Sequence, residues 1–441
     1  MKTTFKILNQ PSCCNPTTGC CTSESKLPIA IIGAGPIGLA AGAHSISRNQ
    51  SFILFEQGNE IGSNIRNWGH VRLFSPWQFN IDSTARELLK QTKWQEPNDE
   101  DIPTGNELID QYLQPLAEIE DMKPFIYTNH KVIAITRKNN DKMKTTNRNQ
   151  QSFILYVESN GAVKQFEASA VIDATGTWGN PNPAQGNSVW LPDEKALNKK
   201  IDYHIPNIEA SPNLYANKKV AVIGGGHSAI NSLLNLAKLK EKNPNTDITW
   251  ILRKENIEIA YGGEQNDELA TRGALGTRIR QLVEEGEIKV VTAFYVSSLK
   301  GTEKIEIIGK HKSGEKVLKG FDRLIVNTGS RPDFSINREL RLNIDATTES
   351  VPALATLIDP NEHSCGTVKA HGEELLRQPE QGFYIVGAKS YGRAPTFLMA
   401  TGYEQVRSII AFLSGDIESA NNLELKLPET GVCNSGLGGC C

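Results

Sequence analysis

One pattern occurs twice in this chain, and few folds can use it. The apolar run Pro28-Ile29-Ala30-Ile31-Ile32 leads straight into Gly33-Ala34-Gly35-Pro36-Ile37-Gly38 and an Ala-rich helical stretch. The run Val220-Ala221-Val222-Ile223 likewise leads into Gly224-Gly225-Gly226-His227-Ser228-Ala229 and a helix through Leu239. Apolar runs this short suit strands buried on both faces of a parallel sheet. In the turn that follows, the first glycine permits a tight reversal and the second lets backbone approach a pyrophosphate. The third lets the helix pack closely on the strand, with its N-terminus facing the phosphates. Gly33, Gly35, Pro36 and Gly38 are the first set of candidate contacts; Gly224, Gly226, His227, Ser228 and Ala229 are the second, with Ala229 in place of the third glycine. The fold class implied is α/β, with two Rossmann-like dinucleotide-binding domains.

The residues that follow each second strand separate the two units. After the strand expected at 51–56 stands Glu56, about twenty residues beyond the first turn, where a carboxylate accepts from both hydroxyls of an adenosine ribose. After the strand expected at 248–252 the chain reads Arg253-Lys254, and two cations there suit a 2′-phosphate. NADPH is therefore favoured over NADH in the second unit, although such cations can also be solvated charges at a strand end. Arg272 and Arg278 are further candidates for phosphate.

Helical patterns are expected at 83–91, 107–119 and 395–413, and β-rich segments at 125–136, 153–158 and 166–175. The segment 166–175 ends in Thr175-Gly176, the later strand 324–327 runs into Thr328-Gly329, and the closing strand 382–387 ends at Gly387. Thr175, Gly176, Gly329 and Gly387 join the candidate cofactor contacts. The chain divides into an arm at 1–25, a first unit at 26–216 that resumes at 329–430, a second unit at 217–328, and a tail at 431–441.

A chain of 441 residues with 39% hydrophobic residues and a net charge of -3 can bury its cores without staples, and has no basic excess that would point to nucleic acid. No stretch approaches a membrane span or the apolar core of a signal peptide, so the expected location is the cytoplasm. Of the eight cysteines, Cys13, Cys14, Cys20 and Cys21 lie in the arm, Cys433, Cys440 and Cys441 in the tail, and Cys365 alone between them. In a reducing compartment, terminal vicinal thiols read as ligands or redox groups rather than a disulfide framework.

Four longer strings carry a more specific likeness. They are Trp68-Gly69-His70-Val71-Arg72-Leu73-Phe74-Ser75-Pro76-Trp77, Ile172-Asp173-Ala174-Thr175-Gly176-Thr177-Trp178, Ile358-Asp359-Pro360-Asn361-Glu362-His363-Ser364-Cys365-Gly366 and Lys389-Ser390-Tyr391-Gly392-Arg393-Ala394-Pro395-Thr396-Phe397. In these the sequence resembles the two-dinucleotide-binding-domain flavoproteins, and among them the flavin-containing monooxygenase-like branch found in arsenic-resistance operons. The resemblance implies an NADPH domain inserted in an FAD domain. It places FAD at Gly33, Gly35, Gly38 and Glu56, with Arg66, Trp68 and Arg72 near the cofactor and Thr396 on a helix approaching the isoalloxazine. Two departures stand out. The F-x-G-x-x-x-H fingerprint of flavin monooxygenases is replaced by Tyr203-His204-Ile205-Pro206, and the Gly-Asp pair that ends many related flavin domains is Gly387-Ala388.

No cysteine pair follows the first turn or lies in the second unit, so reduced flavin must pass electrons to oxygen or to a bound substrate unless a terminal pair swings in. Cys440-Cys441 is similar to the mobile C-terminal pair of mercuric reductase. Cys433, Cys440 and Cys441 together have the count needed to surround trivalent arsenic. His70 and His227 are candidates for steering protons, and His70, Cys365 and Thr396 are the catalytic candidates. Three readings remain open: a monooxygenase using molecular oxygen on a soft nucleophile such as trivalent arsenic, an NADPH-dependent reductase using the terminal thiols, and a metalloid-sequestering flavoprotein without turnover.

Overall fold

The computed structural model describes residues 26–262, 270–359, 371–394 and 397–425. The arm at 1–25, the tail at 431–441, Cys365, Thr396, Cys433, Cys440 and Cys441 lie outside the described residues, as does the side chain of Arg272.

The strands in the first half of the chain are β1 (Ile29–Ile32), β2 (Phe52–Phe55), β3 (Ile126–Tyr127), β4 (Lys131–Arg137), β5 (Phe153–Ser159), β6 (Ala162–Ala168), β7 (Ala170–Asp173) and β8 (Ile201–Asp202). They continue with β9 (Lys219–Ile223), β10 (Asp247–Ile251), β11 (Lys289–Val291), β12 (Tyr295–Lys300), β13 (Ile305–His311), β14 (Gly314–Phe321), β15 (Arg323–Val326) and β16 (Phe383–Ile385). Two five-stranded sheets result, ordered β16-β7-β1-β2-β3 and β11-β10-β9-β15-β8. Every pairing within them is parallel. β1 and β7 are buried at all positions, as strands covered on both faces must be.

The two sheets are built to one plan. Each has a three-stranded antiparallel meander inserted just ahead of one of its strands, β4-β5-β6 ahead of β7 and β12-β13-β14 ahead of β15. Both meanders carry a bulge near the start of their first strand, between Val132 and Ala134 and between Val296 and Ser298. The sheets differ at one edge. In the first, the strand beside β7 is β16, reached after the whole second unit; in the second, the strand beside β15 is β8, which comes before β9. β8 therefore lies ahead of the unit start expected at 217, because the connecting segment supplies that edge.

The second sheet interrupts the first in sequence, yet one core joins the parts on either side. Ile29 to Ile172 and Leu340 to Ile410 contribute to the same apolar cluster. Helix Pro36–Ser47, following β1, packs against the last long helix, Met399–Ser414. The segment 166–175, expected as one β-rich stretch, is two strands in different sheets, separated at Ser169, whose N–H bonds the carbonyl of Pro28. Among the described residues no helix is long and apolar enough to cross a membrane.

Candidate functional site

Both Gly-rich turns form the same cradle at the carboxyl ends of their strands, the position where open α/β sheets bind ligands. Gly33 has φ +101°, and a Cβ on it would lie 2.8 Å from the Ala174 carbonyl oxygen; a Cβ on Gly38 would lie 1.8 Å from the Gly33 oxygen. Gly224 has φ +139°, and a Cβ there would lie 2.2 Å from the Asn327 oxygen. At Gly35 and Gly226, by contrast, a Cβ would meet no described atom within 4 Å. Each cradle is thus tight against its own sheet and open at the second glycine, which precedes the helix.

Those helices start with Pro36 and with His227, and no described side chain caps either of them. On two other helices the first-turn N–H groups are occupied by side chains, from Asp82 on Ser83–Lys90 and from Thr104 with Glu107 on Gly105–Leu108, whereas Met399–Ser414 is uncapped like the cradle helices. Uncapped N–H groups beside an open glycine fit an anion such as a pyrophosphate. Glu56 fits the adenosine end of the first cradle. Its Oε2 accepts from Ala34 N–H at 2.9 Å and its Oε1 from Gly58 N–H at 2.8 Å. A carboxylate so anchored keeps two of about four lone-pair sites for ribose hydroxyls. Gly387 (φ +66°) brings the end of β16 against Ile37 at the start of the first helix.

In the second cradle the Trp250 indole donates to the Gly224 carbonyl at 2.7 Å, fixing the turn, and Ala229 is buried under it. Arg253 is exposed just past β10, 3.5 Å from the Gly186 carbonyl oxygen, with Lys254 beside it and no acid in place of Glu56. Gly329 (φ +86°) lies in a ribbon that joins the units. Asn182 N–H donates to the Gly329 carbonyl at 2.9 Å, Arg331 N–H donates to Asn180 at 3.0 Å, and the Ser330 and Thr177 hydroxyls meet at 3.0 Å.

The loop Trp68 to Trp77 reaches from the first unit toward the second. Phe74 sets its ring edge-on to His227, 5.3 Å between centroids, and the His70 ring lies by the Pro206 carbonyl. Burial pushes the His70 imidazole below its ordinary range, against the raising effect of that carbonyl. His70 Nε2 is buried with no partner among the described residues. His204, also lowered by burial, stacks on Trp178 at 3.9 Å and 14°.

Arg66 and Arg72 each have partners within the protein. Arg66 donates to Asn106 at 3.0 Å and Asp110 at 2.8 Å, and the carboxylates of Asp110 and Glu60 hold its guanidinium above the usual range. Arg72 is held by the Ile102 carbonyl and lies 3.9 Å from Glu107. Trp68 packs on Gly105, where a Cβ would meet its ring at 2.8 Å. These three residues brace the loop against 102–110. Thr175 is likewise engaged, its hydroxyl donating to Asp173 at 2.7 Å, while Gly176 (φ +68°) opens the turn after β7. Ser228 is exposed at the second cradle. Arg278 lies on helix Ala270–Glu284. Among the described residues no group of three or more His, Cys, Asp or Glu could hold a metal ion.

A family model described as pyridine nucleotide-disulphide oxidoreductase matches residues 30–356. The chain belongs to that family. As a family member it is an oxidoreductase enzyme, and among curated proteins it is similar to a ferredoxin–NADP reductase of Lactobacillus gasseri, 25% identical over 322 residues, 72% of this chain and 77% of that one. Its fold is similar to that of the bacillithiol disulfide reductase Bdr from Bacillus cereus, with TM-score 0.65 and 18% identity over 89% of this chain and 99% of that one. It is similar as well to the cadaverine monooxygenase DfoA bound to FAD from Erwinia amylovora, with TM-score 0.62 and 11% identity over 92% and 99% of the two chains.

Proposed function

We propose that this oxidoreductase holds FAD in the first cradle and NADPH in the second, and that it is a monooxygenase acting on a soft nucleophile, trivalent arsenic. FAD would be held by Gly33, Gly35, Gly38 and Glu56 in the discontinuous unit, and NADPH by Gly224, Gly226, Ser228, Arg253 and Lys254 in the unit whose edge strand is β8. The solved monooxygenase bound to FAD and the relatives named ferredoxin–NADP reductase support this cofactor pair. Bound FAD would supply acceptance of a hydride from NADPH and reactivity of its reduced form toward oxygen. The chain's own part is to orient both nucleotides, with Phe74 of the 70–77 loop set against His227 of the second cradle, and to handle a proton at His70, whose lowered basicity keeps it neutral near pH 7 and able to accept one.

The observation that carries the choice of monooxygenase is the run from Ala30 to Leu357, through both cradles, without a single cysteine. The dithiol after which the family is named is missing from the units that hold the nucleotides. In the net reaction one atom of oxygen would go to arsenite to give arsenate, the other would leave as water, and NADPH with one proton would become NADP⁺. Stopped-flow mixing of anaerobically reduced enzyme with oxygen tests this. Arsenite should speed the return of oxidised flavin, and arsenate should form in step with NADPH used; steady NADPH consumption indifferent to arsenite, with no arsenate, overturns the reading. A second reading, a reductase relaying electrons through Cys440-Cys441, is favoured by the vicinal thiols themselves. Replacing both with Ser abolishes turnover in that case and leaves oxygen use intact in the first.

The Arg253 and Lys254 pair makes a separate prediction. Two charge-assisted contacts to a 2′-phosphate, at roughly 1.5 kcal/mol each, are worth about 100-fold in affinity. Arg253→Ala with Lys254→Ala should therefore lower kcat/KM for NADPH by that order. NADH, with no 2′-phosphate, should be used as before, so the measured NADPH/NADH ratio should collapse.

A further inference from the structure

Under the first cradle lies an ion pair that nothing in the reaction above uses. Asp173, the last residue of β7, stands in register with Ile32 and Ile385, the ends of the strands on either side. The next residue supplies the carbonyl oxygen that a Cβ on Gly33 would meet at 2.8 Å. Lys389, on the turn after β16, places its ammonium 2.7 Å from Asp173 Oδ2, and both side chains are fully buried.

Both oxygens of Asp173 are engaged. Asp173 Oδ1 accepts from the Thr175 N–H at 3.2 Å and from its hydroxyl at 2.7 Å, and Oδ2 accepts from Asn337 Nδ2 at 2.8 Å. Lys389 also donates to the Thr175 hydroxyl oxygen at 3.0 Å, and its remaining face looks onto the Phe334 ring at 5.3 Å. The knot ties residues before the inserted unit, Asp173 and Thr175, to residues after it, Asn337 and Lys389.

A buried ion pair is a weak source of net stability, since desolvating two charges offsets most of their attraction, and its better-attested use is to fix one arrangement among several. Here the arrangement fixed is the Thr175-Gly176 turn at the cradle. With its proton given to Asp173 and a lone pair to Lys389, the Thr175 hydroxyl has nothing left to donate, so its work is to hold the turn.

We infer that Lys389 is a positioning residue for the cofactor of the first cradle, presetting through Asp173 and Thr175 the turn at Gly176 against which FAD is held. This rests on the assignment of FAD to that cradle.

The test uses two variants of the full chain, each stripped of flavin and compared with the wild type. Lys389→Met leaves the Asp173 charge buried without its partner, so both the melting temperature and the affinity for FAD should fall. Asp173→Asn with Lys389→Met removes both charges. Met fills the space of the lysine stem over Phe334, and the Asn337 amide can turn over, because its Oδ1 has no partner among the described residues and can accept from the new amide. The melting temperature of this double variant, followed by far-UV circular dichroism, should return to the wild-type value. Its FAD dissociation constant, read from quenching of FAD fluorescence on titration, should stay about tenfold weaker, the value of roughly one directed polar contact. Recovery of FAD affinity together with melting temperature would overturn the inference, since the pair would then serve folding alone, and so would wild-type FAD affinity in Lys389→Met. A wild-type chain that takes up no FAD at all would overturn the cofactor assignment and this inference with it.

Discussion

Replacing Glu380 with Gln should destabilise the chain by about 3–5 kcal/mol, the loss expected when a buried ion pair is broken from one side. The Glu380 carboxylate is fully buried between two equally buried guanidiniums. It accepts from Arg137 Nε at 2.7 Å, from Arg148 Nη2 at 2.7 Å and from Arg341 N–H at 3.0 Å. Gln keeps the shape and removes the only negative charge among these three groups. Two cations would then face each other in the interior, with Arg137 still pinned over the Phe153 ring at 3.7 Å. The parts joined are β4, the 137–151 connection, the 339–341 return segment and the start of β16, so the loss should register as a lower urea midpoint by circular dichroism.

The same carboxylate predicts an acid dependence with a definite sign. Burial pushes its pKa up, but the Arg148 and Arg137 hydrogen bonds outweigh that, and the net displacement is below the ordinary value of 4.5. A carboxyl depressed in the folded state contributes stability that is complete above the unfolded pKa and is lost as pH falls through the folded one. Below about pH 4.5 the wild type should therefore lose part of its advantage over the Gln variant, and the two melting curves should converge.

Neither this triad nor the Asp173–Lys389 pair was legible in the sequence. The reason is separation: Glu380 meets Arg137 across 243 residues and Arg148 across 232, and Lys389 meets Asp173 across 216. Charges so far apart share no periodicity with anything nearby. The strands were legible because a buried parallel strand must be apolar almost throughout, and the cradles because their glycines answer to local geometry. The segment 166–175 reads as one stretch because β-propensity continues through Ser169, where only the two sheets' separate partners impose a break. Arg66 and Arg72 are expected near the cofactor only through the family resemblance, not through any local pattern. Their partners lie 30 to 44 residues further on, where sequence gives no sign of them. The last helix, expected from 395, begins at Met399, while its end at Ser414 matches the left-handed Gly415 that follows (φ +90°).

Gly38 and Ala229 hold the same place in their two cradles, and exchanging their side chains should separate the cofactors. A methyl at Gly38 would sit 1.8 Å from the Gly33 carbonyl oxygen, a backbone atom that no side-chain rotation can move aside. The helix from Pro36 would have to back away from the turn, taking its uncapped N–H groups off the pyrophosphate position. Losing two charge-assisted hydrogen bonds at roughly 1.5 kcal/mol each is about 100-fold in affinity. Gly38→Ala should thus be purified nearly colourless and bind added FAD about 100-fold more weakly, while its affinity for NADP⁺ is unchanged. The second cradle already stands further from its helix. There the Ala229 methyl is 3.5 Å from where a Cβ on Gly224 would be, so removing it frees no contact that the nucleotide uses. Ala229→Gly should cost the helix penalty of glycine, about 0.5–1 kcal/mol, plus about 0.8 kcal/mol for the buried methyl, and leave both affinities where they were. If Gly38→Ala instead lowered NADP⁺ affinity and spared FAD, the assignment of the two cofactors to their cradles would have to be exchanged.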